Sequence, residues 1–174
     1  MNYFELFEVP VSFIVDQKEL STKYFELQKK FHPDFFTNAD EEEKSKVLEQ
    51  SSVINKAYKT FKDTQATIKY VLQLKELIAD DEKYDLPPDF LMEMMELNES
   101  LSDDDVLSTE EAKTKIAQLE QELYKEVQSI IEGYDDERTT DAQMLLVKEY
   151  YYKKKYLNRI LERLEGMRNI ASQN

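Results

Sequence analysis

Two glycines, Gly133 and Gly166, and four prolines are all that this chain of 174 residues has for making sharp turns. A sandwich or barrel needs a tight turn about every ten residues, and Gly and Pro supply most of them. The remainder is rich in Leu, Glu, Lys and Gln, which lose little freedom in a helix. The fold class this implies is all-α. An apolar content of 41% with 11% aromatics is enough to build a core, in one mid-sized domain or two small ones. The absence of cysteine excludes a disulfide framework, a thiolate metal site and a cysteine nucleophile, and suits a reducing cytoplasm, the expected location. Met1-Asn2-Tyr3-Phe4-Glu5 shows no secretory or transit pattern, and no apolar run approaches about 18 residues, so a soluble, untargeted protein is expected.

Net charge is -14, which argues against nucleic acid or an anionic membrane as a partner. Its distribution is uneven. Residues 1–75 hold 11 Lys+Arg against 12 Asp+Glu, whereas residues 76–141 hold 5 against 22 and residues 142–174 hold 7 against 3. A basic final helix is therefore expected to lie against acidic earlier ones.

Periodicity sets out the elements. A short apolar start (Tyr3, Phe4, Leu6, Phe7) ends near Pro10. Asp16 then opens a helix whose Leu20, Tyr24, Leu27 and Phe31 recur at steps of four, three and four, and Pro33 stops it. A second long helix is predicted from about Asp40 to Lys62, with acids at its positive end and Val47, Ile54, Ala57, Tyr58 and Phe61 inward. A shorter one carries Ile68, Val71, Leu72 and Leu74. Polar, aperiodic residues precede Pro87-Pro88, a helix start, which divides the chain into an N-terminal domain (1–75), a linker (76–86) and a C-terminal domain (87–174). Three helices are predicted there. One runs from Pro88 to Leu101 and ends in the acidic Ser102-Asp103-Asp104-Asp105. The next has a Ser108-to-Glu111 capping box, a stripe of Ile116, Leu119, Leu123, Val127 and Ile130, and Gly133 as its stop. The last begins near Asp141 and carries Leu145, Tyr152, Tyr156, Ile160, Leu164 and Met167. This spacing suits an antiparallel bundle.

The only histidine, His32, stands between the first two long helices in Lys29-Lys30-Phe31-His32-Pro33-Asp34. A lone histidine is commonly a surface or capping residue, and one imidazole cannot make a multi-histidine metal site. Beside a proline that fixes the backbone and an aspartate that adds a charged acceptor, it forms a rigid polar knuckle suited to recognition. No nucleophile-base pattern or phosphate-binding glycine loop accompanies it, so neither an active site nor a cofactor is expected.

Tyr3-Phe4-Glu5-Leu6-Phe7, the Lys-Lys-Phe-His-Pro-Asp end of the next helix, and Ile54-Asn55-Lys56-Ala57-Tyr58-Lys59-Thr60-Phe61 together resemble a J domain. The resemblance implies a helical hairpin with short flanking helices. It also implies that His32, Pro33 and Asp34 engage a DnaK/HscA-type ATPase chaperone and stimulate its ATP hydrolysis, with Lys23 and Lys29 adding electrostatic docking. Phe35 stands where many J domains have lysine, and Phe25 and Glu26 occupy helix positions that are often basic. Beyond residue 75, Asp89-Phe90-Leu91-Met92-Glu93-Met94-Met95-Glu96-Leu97 and Lys155-Tyr156-Leu157-Asn158-Arg159-Ile160 resemble the C-terminal three-helix domain of HscB-type co-chaperones.

On that first C-terminal helix, Phe90, Met94, Leu97 and Leu101 fall within roughly 60° of one another and suffice as a core stripe. Leu91, Met92 and Met95 lie roughly 100° to 200° from Phe90, beside Glu96 and Glu99. They make either a wider core face or contact with the N-terminal domain, or else a Met-rich partner surface framed by acids. The family resemblance implies the partner surface, with Leu91, Met92, Met95, Glu96, Glu99, Asp103 and Tyr156 binding an IscU-type iron-sulfur scaffold protein. Two alternatives stand beside this reading: a J-domain adaptor that delivers another client to a general DnaK-type chaperone, and an enzyme or metal-binding bundle built on the carboxylates.

Overall fold

The structure, a computed structural model, describes residues 1–102 and 109–171, with the side chains of 1–101 and 110–166. It is all-α, with seven α-helices and no strand among the described residues. It divides into two compact units, Met1–Lys75 with Tyr134–Arg138, and Glu76–Gly133 with Thr139–Asn174.

In the first unit, α1 (Tyr3–Phe7) is held by reciprocal capping. Asn2 accepts the Glu5 N–H at 2.9 Å, and the Glu5 carboxylate accepts the Asn2 N–H at 3.0 Å. Three further helices, α2 (Gln17–Phe31), α3 (Glu41–Lys62) and α4 (Thr64–Leu74), each start on an aspartate whose side chain accepts an orphan amide of the first turn: Asp16 from Glu19, Asp40 from Glu43 and Asp63 from Ala66. Helices α2 and α3 pair as a hairpin. Its base is closed by an aromatic cluster in which Phe61 meets Phe4 at 4.7 Å and Phe7 at 5.8 Å, with Leu20, Ile54, Ile68 and Leu72 fully buried around it.

Toward the hairpin tip the packing thins. Leu20 is buried, but Tyr24, Leu27 and Phe31, placed on the same stripe by periodicity, are only half-buried. Near the tip only the partner helix covers that stripe, so its flanks stay wet. Polar bridges and ring stacking complete the seam there. Tyr24 stacks on Tyr58 at 4.0 Å, and both the Tyr24 hydroxyl and Gln28 donate to the Asn55 carboxamide oxygen, at 3.0 and 2.9 Å. The segment Tyr134–Arg138 also belongs to this unit. Tyr134 lies edge-on to Phe13 at 4.9 Å, and Asp136 pairs with Lys75 at 2.5 Å, which together with the Tyr134 hydroxyl holds its carboxyl below the usual range.

The second unit contains α5 (Pro88–Ser102), α6 (Thr109–Glu132) and α7 (Asp141–Ala171). Phe90, Met94 and Leu97 of α5 pack with Ala112 and Ile116 of α6 and with Leu157, Ile160 and Leu164 of α7. At α7 the single predicted stripe is corrected. Leu145 is exposed, and Met144, Val147 and Tyr151 are buried instead, roughly 140° around the axis from Leu157, Ile160 and Leu164. The α5 core residues join only the C-terminal half of α7, so the two halves bury different faces. Met167 has no described side chain, and the Ser102–Asp105 loop and Ser108 cap fall on or beside residues outside the description.

Gly133 follows α6, as its sequence position suggests, but without a positive φ. A Cβ there would stand 2.8 Å from the Ser129 carbonyl oxygen, so close approach explains the glycine. Basic α7 meets acidic partners: Lys154 pairs with Glu120 at 2.7 Å and Lys148 with Glu82 at 2.6 Å. The polar stretch 76–86 lies with this unit and follows α7. Glu82 also accepts the Tyr152 hydroxyl at 3.1 Å, Tyr84 stacks on Tyr152 at 4.4 Å, and Ile78 is buried.

Candidate partner-binding surfaces

His32 is at once the last cap of α2 and the first cap of a 3-10 turn, Pro33–Phe36, with Pro33 at the position where a missing amide hydrogen costs nothing. Its Nδ1 accepts the Asp34 N–H at 3.3 Å. The Asp34 carboxylate stands 3.7 Å from the same Nδ1 and is largely exposed. Backbone closure is completed by the Phe35 N–H donating to the His32 carbonyl at 3.0 Å, and α3 packs against the turn. The knuckle therefore carries a half-exposed imidazole and an exposed carboxylate on a backbone closed by its own hydrogen bonds. Among the described residues, no group of three or more His, Asp or Glu is placed to hold a metal ion.

The two lysines differ. Lys29 is exposed, one turn before His32. Lys23 is paired with Glu8 at 3.1 Å, a hydrogen bond and charge contact that raise its pKa, and it lies roughly 180° around α2 from His32. Phe25 does share the face of Lys29 and His32, and it is 64% exposed. Phe35, 70% exposed, stands edge-on to His32 at 5.9 Å. Both phenylalanines are visible in the sequence as departures from the basic J-domain pattern. That they are exposed emerges only from the fold.

On α5 the heptad geometry separates two apolar sets. Phe90, Met94 and Leu97 are buried, whereas Leu91, Met92 and Met95 are 36%, 62% and 61% exposed, with Glu96 and Glu99 exposed alongside. The bundle thus leaves three large apolar side chains outside its own core. Tyr156 is half-buried at the edge of that core, with its ring edge-on to Phe90 at 6.1 Å. Asp103 lies outside the described residues.

Comparison with known proteins adds an independent line. Residues 86–165 match the family described as the HSCB C-terminal oligomerisation domain. A co-chaperone protein HscB homologue of Photobacterium profundum is 37% identical over 148 residues, 82% of this chain and 86% of the relative. Another from Vibrio cholerae serotype O1 is 44% identical over 102 residues, 58% of this chain and 60% of the relative, so that match spans less than two thirds of the relative's length. The solved structure of chaperone HscB from Vibrio cholerae superposes with a TM-score of 0.76 at 28% identity, over 98% of this chain and 99% of that one. The chain belongs to the HscB co-chaperone family.

Proposed function

We propose that this co-chaperone binds an IscU-type iron-sulfur scaffold protein through the exposed strip of α5, delivers it to a DnaK/HscA-type chaperone, and stimulates that chaperone's ATPase through His32, Pro33 and Asp34. The observation that carries the reading is the coexistence, in one chain, of a solvent-facing His-Pro-Asp knuckle and three exposed apolar side chains that the bundle does not use. A surface of adaptable methionines framed by carboxylates fits a protein client whose docking patch is apolar with a basic rim. An imidazole and a carboxylate exposed on a closed turn fit a charged counter-surface on the ATPase. Domains 1–75 and 87–174 would then act as the chaperone-facing and client-facing halves.

The test is reconstitution with the purified chaperone and scaffold. The full chain should raise steady-state ATP hydrolysis by itself, and scaffold added with it should raise it further than either alone. No stimulation by the chain would end the reading. Stimulation by the chain, with another client but not the scaffold adding to it, would favour an adaptor for a different client.

A further inference from the structure

We infer that the second unit carries a binding site for an acidic peptide segment of a partner protein, in a concavity of about 360 Å³ between residues 82–86 and α7. Three cations line it, Lys83 on one wall with Lys155 and Arg159 on the other, and the rings of Tyr84, Tyr152 and Tyr156 line it with them. The carboxylate that also faces it, Glu82, is already engaged by Lys148 at 2.6 Å and by the Tyr152 hydroxyl at 3.1 Å. Among the described side chains of α7, Lys148, Lys153 and Lys154 each pair with a carboxylate, whereas Lys155, Arg159 and Arg163 make no ion pair, and neither does Lys83 opposite them. Of the unpaired three, Lys155 and Arg159 face the concavity, with the Lys155 ammonium over the Tyr152 ring at 5.9 Å. Lys155 and Arg159 are like charges at i and i+4, an arrangement that disfavours the helix unless something anionic sits against it. In a chain of net charge -14, a concavity lined by three cations that make no ion pair among the described residues favours an anion.

The geometry favours a peptide over a single phosphate. Lys155 and Arg159 are spaced about 6 Å along the helix axis with Lys83 on the facing wall, which suits carboxylates spread along a chain. Neither glycine of the protein lies there to open backbone amides to a phosphate. Tyrosine faces with arginine are the side chains that protein interfaces favour. The site is the chemical opposite of the α5 strip, whose frame is Glu96 and Glu99. It shares Tyr156 with the residues expected to bind the scaffold, but its three cations call for a segment of opposite charge to the one an acid-framed strip would take, so it does not rest on the scaffold reading.

The experiment titrates the full chain at low salt with a short fluorescein-labelled peptide of glutamates and one tyrosine, reading anisotropy and the amide NMR signals of Lys83, Lys155 and Arg159. Saturable binding that shifts those signals is expected, weakened about tenfold in K155A/R159A and comparably in K83A. K125A, an exposed lysine of α6, should bind like the wild type. No binding, or binding unchanged in both variants, overturns the proposal, as does equal displacement by the same concentration of inorganic phosphate, which would make the site a phosphate site.

Discussion

The knuckle and the α5 strip are both exposed, but by opposite routes. His32, Pro33 and Asp34 are consecutive in sequence and fixed by one another: a proline, a cap, and hydrogen bonds no longer than 3.3 Å within four residues. Leu91, Met92 and Met95 are fixed by what they are left out of, because only the bundle's use of Phe90, Met94 and Leu97 turns them outward. A local device of the first kind should tolerate change elsewhere until its unit unfolds. A surface of the second kind depends on its helix being packed, and its side chains can be removed without touching the fold.

That contrast is open to measurement. The largest effect expected is at Phe61, where the aromatic base of the hairpin converges: Phe61→Ala should destabilise by about 3 to 5 kcal/mol in urea denaturation. Half-buried Phe31, adjoining the knuckle, should lose only about 1 to 2 kcal/mol on the same substitution. Met92→Ala with Met95→Ala should move stability by less than about 0.5 kcal/mol, and a loss near that of Phe61 would show the strip to be packed after all. In binding kinetics the order reverses. Removing Leu91, Met92 and Met95 together should weaken scaffold binding by about 1 to 2 kcal/mol or more through faster dissociation at any ionic strength. Glu96→Ala with Glu99→Ala should mainly slow association at low salt.

The smallest effect concerns the second unit alone. The hydrogen bond from Lys148, with that from Tyr152, holds the Glu82 carboxyl below its ordinary value of 4.5. A depressed folded-state pKa contributes stability that is complete above that ordinary value and disappears as pH falls through the folded value. Glu82→Gln should therefore cost about 1 kcal/mol at neutral pH and nothing measurable once the wild-type carboxyl is protonated. A difference that persists in acid would show that the pair matters through shape, not charge.

Much of this was legible in the sequence where neighbours along the chain determine the outcome. The aspartate caps, the all-α class, the α6 stripe and the knuckle follow from residues within a turn or two of one another. What was not legible depended on which neighbour covers which face. Periodicity gives a stripe but no coverage: Phe31 lies on the core stripe of α2 although the hairpin tip leaves it half-covered, and a single stripe along α7 misses that Tyr151 and Leu157 face different ways. Residues 79–85 looked like a connector because they are polar. The fold shows that Glu82 and Tyr84 are matched to Lys148 and Tyr152, a pairing across more than sixty residues that no local pattern displays. Lys23 and Lys29 are equivalent as charges in the sequence, and the fold separates them by placing Glu8 beside Lys23.

The central claim is that chaperone stimulation and client binding reside on separate surfaces of one adaptor, and His32→Gln tests it most directly. Glutamine keeps a polar side chain at an exposed cap, so helix content and unfolding should stay those of the wild type. Steady-state ATPase stimulation of the cognate chaperone should be lost, while scaffold affinity, measured on the same preparation, stays unchanged. Retained stimulation by the folded variant would contradict the account.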